Sequence, residues 1–214
     1  MKLFIFTIVF LITSALMAQT GYKVTYEVRS VNNTYTKLSE QFTGEDRAKM
    51  ASVDHLTRTF QLLHVNGVSL YSYVSTQYDS MYTGEQYYAG TSTVHYKDMR
   101  SVNDLEMLEV SKMRGCARKT TFRSELYDLT DSTKIIGNLL TQKAVNRDFP
   151  DSYVWFAPRI PISDGPKQEA GFPGLVIQKV NSSHRIVMVA IEEIDGDLVP
   201  SIVRPECAAG RGNQ

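Results

Sequence analysis

The sequence has little cysteine, little histidine and no net charge, and these shortages exclude several classes of protein. It has 2 Cys and 4 His among 214 residues, and its 23 Lys and Arg are balanced by 23 Asp and Glu. A nucleic-acid-binding protein needs a basic face, and a strongly acidic tail needs an excess of Asp and Glu. The balance of charge therefore argues against both. With 43% hydrophobic and 21% charged residues, the chain is not disordered. Its length allows a core without a metal or disulfide staple.

Motifs that carry catalytic chemistry are also missing. The sequence contains no G-x-S-x-G nucleophile elbow, no H-E-x-x-H or C-x-x-C pair, and no phosphate-binding loop. The four histidines, His55, His64, His95 and His184, are scattered. A sheet could gather two or three of them around a metal ion, but isolated histidines on strands are more often surface or core groups. We therefore predict no catalytic residue, no metal site and no cofactor.

Residues 1–18 have the layout of a secretory signal peptide. Lys2 precedes an uncharged apolar run from Leu3 to Ile12, and small residues follow as far as Ala18. A membrane-spanning helix needs about 20 apolar residues, whereas polar residues interrupt the end of this run. We therefore expect cleavage after Ala18. The exported protein would lie in the periplasm, at the outer-envelope surface or outside the cell, with no membrane-spanning segment in the mature chain.

Alternation of apolar and polar residues predicts that most of the chain is β-structure. Tyr22–Val31 alternates along its first half, which is typical of a half-buried strand. Asn66-Gly67 is the residue pair that a type I′ hairpin prefers, and it separates candidate strands Thr57–His64 and Val68–Val74. Further candidate strands are Thr91–Tyr96, Thr120–Leu126, Leu139–Asn146, Ser152–Ala157, Val176–Asn181 and His184–Ile194, the last two forming a hairpin over Ser182-Ser183, and Leu198–Val203.

These short strands and turns predict a mainly β fold, with a single antiparallel curved sheet or half-open barrel and at most one or two short helices. Val102–Met113 is a candidate helix. No linker divides the chain, so we expect a single β-rich domain over residues 19–203. The small, polar residues 204–214 predict a flexible tail, and processing or crosslinking of this tail through Cys207 is the alternative.

The two cysteines, Cys116 and Cys207, leave two interpretations open. An exported chain meets an oxidising compartment, where a disulfide between them is the simple expectation. Closing so long a loop would stabilise the fold by about 4 kcal/mol in the chain-entropy model. Alternatively, Cys116 is a reactive thiol, because neighbouring cations lower the pKa of a thiol. Those cations are Arg114, Arg118 and Lys119.

Tyrosine is concentrated in one stretch, Tyr71–Tyr96, which holds 7 of the 12 tyrosines. Tyrosine combines a rigid apolar ring with a polar tip and is favoured at binding surfaces, although it is also common in an edge hairpin of a β protein. The candidate ligand-binding residues are Tyr87 and Tyr88 from this stretch, together with Trp155 and Phe156.

A second unusual segment, Trp155–Val180, has the sequence WFAPRIPISDGPKQEAGFPGLVIQKV. Proline fixes φ and glycine allows positive φ, so this is a shaped connection between two strands. We interpret it as a structural loop that turns the chain over one end of the sheet; a ligand-contacting loop beside Trp155 and Phe156 is the alternative. On the structural interpretation, Asn would replace Asp164 at little cost, because both make the same turn bond. The residues of the motif are Pro161, Asp164, Gly165, Pro166, Gly171, Pro173 and Gly174.

This segment resembles the GLPGLI family of exported Bacteroidetes proteins. The family signature stands here as GFPGLV at Gly171–Val176, and Ile160–Pro166 is similar to the IPISDGP element of the family. Lys134–Gly137, followed by Gln142–Ala144, is similar to the turn and strand that precede that element. Many members have a cysteine in this strand, where this chain has Thr141, so a family disulfide at that place is excluded. The resemblance implies compartment and phylogeny rather than a general activity.

Two classes of function remain open from the sequence. We expect an exported, non-catalytic envelope protein that binds an apolar or peptide ligand on its curved sheet, or that acts as an accessory to outer-envelope machinery through its tyrosine-rich stretch. The alternative is a thiol-dependent or metal-dependent enzyme that uses Cys116 and a histidine.

Overall fold

The computed structural model describes residues 21–84, 93–101, 105–111, 115–194 and 202–207, and the fold is mainly β. Two short α-helices, α1 (Thr34–Ser39) and α2 (Gly44–Ser52), lie between the first two strands. The expected class, a single antiparallel sheet with at most two short helices, is confirmed. Within the described residues the sheet has eleven strands: β1 (Gly21–Ser30), β2 (Leu56–Val65), β3 (Val68–Tyr78), β4 (Val94–Asp98), β5 (Glu106–Ser111), β6 (Gly115–Lys119), β7 (Tyr127–Ile136), β8 (Leu139–Asn146), β9 (Tyr153–Ala157), β10 (Leu175–Val180) and β11 (His184–Ile194).

The order of the strands across the sheet requires strong curvature. The order is β6-β5-β4-β3-β2-β1-β11-β10-β9-β8-β7, so β6 and β7 are the two edges. Only residues 120–126 connect these edges, and this connection reaches at most about 28 Å. A flat sheet of eleven strands would separate its edge strands by about 48 Å. The sheet therefore curves until its edges approach each other, and it is not closed by pairing between the described strands β6 and β7.

The predicted helix Val102–Met113 is wrong. The segment contains strand β5, Glu106–Ser111, and its residues 102–104 and 112–114 lie outside the described part of the chain. Strong helix formers occupy these positions, but β5 pairs with β4 on one side and with β6 on the other. The hydrogen bonds and side-chain contacts of these two pairings override the intrinsic helix propensity.

The predicted strand Thr120–Leu126 is also wrong. Residues 120–122 are loop, and Arg123–Leu126 forms a short 3-10 helix before β7. Because this segment must cross from one sheet edge to the other, it has no neighbouring strand with which to form a ladder. A second 3-10 helix, Val53–His55, follows α2, and the sequence patterns did not locate α1 or α2.

The predicted hairpins are confirmed. Val65 pairs with Val68 across a two-residue turn, and Asn66 and Gly67 have φ values of 49° and 77°, as a type I′ turn requires. Strands β10 and β11 form the other hairpin over Ser182-Ser183, and the N–H of Asn181 donates to the carbonyl of the residue that begins β11 at 3.0 Å.

The connection between β9 and β10, residues 158–174, fills the curved sheet and is called the inner segment below. A hairpin between neighbouring strands needs only about 2–5 residues, so this connection is much longer than chain reversal demands. Its residues Ile162, Phe172 and Ala170 each belong to a different cluster of the hydrophobic core. The inner segment is therefore the element that joins the three clusters. The expectation that it merely turns over one end of the sheet is wrong, because it packs along the inner face.

Two glycines of the inner segment lie where a side chain has no room. Gly174 has a φ of 142°, and a Cβ atom there would collide with the carbonyl oxygen of Ala157. A Cβ on Gly165 would lie 2.6 Å from Cβ of Val176. Strands β9 and β10 can therefore pack closely against the segment that connects them only where these residues are glycine.

The C-terminal residues 202–207 are held against the outer side of the β5–β6 edge. Cys116 of β6 and Cys207 are joined by a disulfide. The guanidinium of Arg204 donates to both carboxylate oxygens of Glu106 in β5, at 2.7 and 2.9 Å. Residues 204–207 of the expected flexible tail are thus tied to the sheet by a covalent bond and an ion pair.

Several sequence-based predictions fall on residues outside the described ranges. These are the signal peptide with its cleavage point, the candidate ligand residues Tyr87 and Tyr88, most of the closing strand Leu198–Val203, and the end of the tail. Among the residues that the structure does describe, no helix has both the length and the apolar character needed to cross a membrane.

Candidate functional site

The register of β2, β3 and β4 brings polar side chains together on the inner face. Ser69 of β3 pairs with His64 of β2 on one side and with Lys97 of β4 on the other. Residues paired across neighbouring strands point to the same face, so these three side chains form one row. His64 is 8% exposed, and Ser69 and Lys97 are 0% exposed. A buried cation needs a partner, because an isolated charge in a protein interior is very costly.

Asp164 of the inner segment is that partner. Its Oδ2 lies 2.8 Å from Nδ1 of His64, and its Oδ1 forms an ion pair with Nζ of Lys97. The N–H of Gly165 donates to Oδ1 at 2.7 Å, and Nζ of Lys97 donates to the Gly165 carbonyl at 2.6 Å. Burial alone would raise the pKa of Asp164, but the Lys97 charge and the His64 hydrogen bond outweigh burial and hold that pKa well below its usual range.

This buried network fixes the inner segment. A general acid or base must come within hydrogen-bond reach of the reacting group. Asp164 and Lys97 have no exposed surface, and each neutralises the charge of the other. The network therefore links β2 and β4 to the inner segment, and its chemistry is that of a structural ion pair.

Further along the inner segment, two more polar side chains reach other strands. Gln168 accepts a hydrogen bond from Nζ of Lys119 in β6 at 2.8 Å and donates one to Glu109 in β5 at 3.1 Å. Glu169 forms an ion pair with Lys179 of β10 and has Nε of Arg123 at 3.9 Å. Together with Asp164, Gln168 and Glu169 connect the inner segment to strands β2, β4, β5, β6 and β10.

His95 of β4 is buried but poorly partnered. The residue is 6% exposed, its Nδ1 has no hydrogen-bond partner among the described residues, and Glu109 Oε2 lies 3.8 Å away. Burial lowers the pKa of His95 to about 3, and the charge of Lys97 acts in the same direction. The ring is therefore neutral at pH 7. Within the described ranges, no group of three or more His, Cys, Asp or Glu side chains is placed to hold a metal ion.

The two candidate ligand residues of β9, Trp155 and Phe156, lie on opposite faces of the sheet. Phe156 is completely buried on the inner face, where its ring stacks on Phe172 of the inner segment with 5.9 Å between centroids. Phe156 therefore packs within the core, and its assignment as a ligand residue stays a prediction. Adjacent residues of a strand point in opposite directions, so Trp155 faces outward.

Charged side chains cover Trp155 on the outer face of the sheet. Trp155 is 8% exposed, and Nζ of Lys134 in β7 lies 4.3 Å from the centre of its ring. The same ammonium donates to Oε1 of Gln178 at 2.9 Å. On the same outer face, Nζ of Lys143 lies 4.3 Å from the ring centre of Tyr153. Two lysines thus stack on two aromatic rings in a cation–π arrangement on one outer surface.

Beside this surface lies an open cleft of about 670 Å³, called the outer cleft below. It extends over β7, β9, β10 and β11 and the loop after β1. Its lining is polar, with amide and charged side chains around one aromatic ring and some aliphatic surface. The residues that matter for its chemistry are Asn32, Lys134, Tyr153, Gln178, Asn181 and Arg185.

Cys116 supplies no nucleophile in this structure. A thiolate is the reactive form of cysteine, whereas the sulfur of Cys116 is bonded to that of Cys207. The residues of β6, Cys116 included, are exposed on an edge strand.

The sequence patterns missed the buried network, although one part of it was accessible to them. The Asn66-Gly67 turn fixes the register of β2 against β3, which places His64 opposite Ser69. The position of Lys97 depends on the pairing of β4 with β3, and no local pattern encodes that pairing. The outer cleft was missed because its residues come from strands that are distant in sequence.

Comparison with known proteins gives little further information. No family model matches the sequence, and a search of curated proteins finds no match. A solved structure of PNGF-II in space group C2 aligns with 82% of this chain at 14% identity, with a TM-score of 0.49. The aligned part spans 28% of the PNGF-II chain, and a likeness at this level assigns no activity to the present protein.

Proposed function

We propose that this chain is an exported, non-catalytic binding protein of the cell envelope, similar to the GLPGLI family, and that it holds a peptide ligand in the outer cleft. The observation that carries the proposal is the position of the inner segment. Because Ile162, Ala170 and Phe172 join the three core clusters, the inner face of the curved sheet is filled by the chain itself. The chain itself thus occupies the inner face at these clusters, and among the described residues the outer cleft is a surface with space for a ligand.

The lining of the outer cleft supports a peptide rather than an apolar ligand. The amide oxygens of Gln178 and Asn181 already accept hydrogen bonds within the protein, so their NH2 groups are the donors that they offer to the C=O groups of a peptide backbone. The Asn32 side chain adds a further donor and acceptor. Tyr153 provides apolar surface for a side chain of the ligand. A cleft with a few polar groups around an aromatic ring is a common form of binding site.

The enzyme alternative has weaker support. The thiol-dependent form needs a free Cys116, and that sulfur is bonded to Cys207. The buried histidine closest to a carboxylate, His64, is committed to the structural network with Asp164. An accessory role in outer-envelope machinery is compatible with binding of a peptide segment of a larger protein.

Peptide binding can be tested with a variant that fills the outer cleft. The protein, purified after export, is titrated with a pool of synthetic hexapeptides by calorimetry and by the fluorescence of Trp155, its single tryptophan. Ser182 lines the cleft and is exposed, so Ser182→Tyr should obstruct it without disturbing the core. We expect Ser182→Tyr to weaken binding at least about tenfold, a loss of about 1.4 kcal/mol.

Ser80→Tyr is the matched control, since Ser80 is an exposed turn residue that does not line the outer cleft. It should bind the peptides like the parent protein. Absence of any binding from the hexapeptide pool, or equal binding by parent and Ser182→Tyr, would contradict the proposed function. Export is tested separately by the intact mass of the secreted protein, which should begin at Gln19.

A further inference from the structure

Four cations share the outer surface around the outer cleft. Arg185 of β11 and Lys134 of β7 line the cleft, and Lys143 lies beside it on Tyr153. Arg29 of β1 pairs directly with Arg185 across the two strands. Like charges directly opposite each other in a sheet are destabilising, so this arrangement costs stability unless negative charge is supplied.

The carboxylates on this surface supply only part of that charge. Glu27 is occupied by Arg29, with Oε2 at 3.1 Å from Nη2. Asp151 lines the outer cleft but forms no ion pair with the described residues. Within the described ranges, Lys134, Lys143 and Arg185 likewise form no ion pair with any carboxylate.

The electrostatics at Lys134 point the same way. Burial lowers the pKa of Lys134, and the charges of Arg185 and Lys143 lower it further. Arg185 and Lys143 are thus each close enough to Lys134 to repel its ammonium. Beneath Lys134, the indole Nε1 of Trp155 is buried and has no acceptor among the described residues. This part of the outer surface therefore has more hydrogen-bond donors and positive charge than the protein itself neutralises.

We propose that Lys134 and Arg185 form an anion subsite in the outer cleft, which receives a carboxylate or phosphate group of the bound ligand. The proposal rests on the proposed function, because it assigns the charge of the ligand that the same cleft binds. A guanidinium matches the geometry of a carboxylate or phosphate with two parallel hydrogen bonds, and an ammonium adds a mobile point charge. Asn32 and Asn181 then flank the anionic group with neutral donors.

Titrations with defined probes separate the chemistry of the anion from the rest of the ligand. The probes are inorganic phosphate, acetate, and one hexapeptide from the pool prepared with a free or an amidated C-terminus. Binding is followed by calorimetry and by Trp155 fluorescence, which reports movement of the Lys134 ammonium above the ring. We expect the free-carboxylate peptide to bind at least about tenfold more tightly than the amidated one, as one charge-assisted pair allows. If phosphate binds and acetate does not, the natural anion is a phosphate group.

Charge-removing variants identify the groups that hold the anion. Arg185→Gln and Lys134→Gln should each abolish the preference for the free carboxylate and weaken the binding of phosphate or acetate about tenfold. Lys23→Gln is the matched control, because it removes one positive charge from the same outer face, where Lys23 pairs with Glu192 at 2.8 Å outside the cleft. It should bind every probe like the parent.

The outcomes distinguish this proposal from the proposed function. If both peptide forms bind equally and Ser182→Tyr weakens both, the peptide function stands and the anion subsite is wrong. If phosphate or acetate binds through Arg185 but no peptide binds, the subsite stands and the peptide function is wrong. Equal losses in Arg185→Gln and Lys23→Gln would show a general charge effect and overturn the subsite. No response to any probe overturns both.

Discussion

The side chains of His64 and Asp164, which are 100 positions apart in the sequence, meet at 2.8 Å on the inner face of the sheet. Asp164 also holds the buried ammonium of Lys97, so one carboxylate connects two strands to the inner segment. The inner segment therefore carries Asp164 into the core. An aspartate that only formed a surface turn would instead be exposed.

Substitution of Asp164 by Asn should be strongly destabilising. Asn preserves the shape and the turn bond with Gly165, but it leaves the Lys97 ammonium buried without a counter-charge. Breaking a buried pair in this way costs about 3–5 kcal/mol. Urea unfolding of the parent and Asp164→Asn proteins at pH 7 measures the loss. This result would replace the sequence-based expectation that Asn is tolerated at this position.

The double variant Asp164→Asn, Lys97→Met provides the control for that interpretation. It removes both charges, so its loss should be smaller than the sum of the two single losses, with a coupling of at least about 1 kcal/mol. Additive losses, or an Asp164→Asn protein as stable as the parent, would mean that the ion pair contributes little to the fold.

Stability should fall as the pH is lowered from about 6.5, because of buried neutral histidines. Unfolded histidine binds a proton below about pH 6.5, whereas burial lowers the pKa of His95, and also that of His184, to about 3 in the folded chain. Between these values the unfolded state binds more protons. The free energy of unfolding then decreases by up to about 1.4 kcal/mol per pH unit for each histidine.

Urea titrations between pH 4.5 and 7.5 measure this slope at pH values where the contribution of Asp164 does not change. The folded pKa of Asp164 is depressed, so its contribution is present above its unfolded pKa of about 3.9 and is lost only at lower pH. His95→Phe removes one titrating ring and should roughly halve the slope. A slope that is the same in His95→Phe and in the parent would show that His95 already binds its proton when folded.

Loss of the disulfide should destabilise the protein without affecting the outer cleft. The bond between Cys116 and Cys207 closes a loop of 91 positions, and removing such a bond costs about 2–5 kcal/mol. The double variant Cys116→Ser, Cys207→Ser is compared with the parent by thermal unfolding. Thiol labelling of the native exported protein should detect no free cysteine, and labelling of Cys116 would restore the thiol-enzyme hypothesis.

Arg204→Gln serves as the control for the C-terminal residues. It removes the exposed ion pair with Glu106 but keeps the disulfide. Surface ion pairs contribute about 0–1 kcal/mol, so its loss should be much smaller than that of the serine double variant. Similar losses in the two variants would show that the position of the C-terminal residues, rather than the covalent bond, provides the stability.

The β class, most strands and both hairpins follow from the sequence because they depend on local alternation and on turn residues. Asn66-Gly67 illustrates this, since two residues determine both the turn and the register of its strands. The strand β5 was mistaken for a helix because its residues favour helix in isolation, and only its two neighbouring strands decide the outcome.

The functional features were harder to predict, because they are assembled across the sheet. The Pro-rich and Gly-rich segment was identified as structural, but the pattern I-S-D-G-P is equally typical of an exposed turn, and nothing local places Asp164 in the core. The adjacent residues Trp155 and Phe156 were grouped as one candidate ligand surface. The alternation of a strand separates them, so only Trp155 lies beneath the outer surface that carries the cleft.

Gly174→Ala should destabilise the protein far more than the same change at Gly137. Both glycines have positive φ, 142° and 60°, so each substitution incurs backbone strain of about 1 kcal/mol or more. At Gly137 no atom lies within 4 Å of the added methyl group, and strain is the whole cost. At Gly174 the methyl group would collide with the backbone carbonyl of Ala157, which cannot move without disturbing the β9–β10 pairing, so overpacking adds about 1–3 kcal/mol. Thermal and urea unfolding of the two variants measure the difference. Equal losses would mean that β9 shifts freely at Ala157, and that the glycine of the signature is retained for its φ alone.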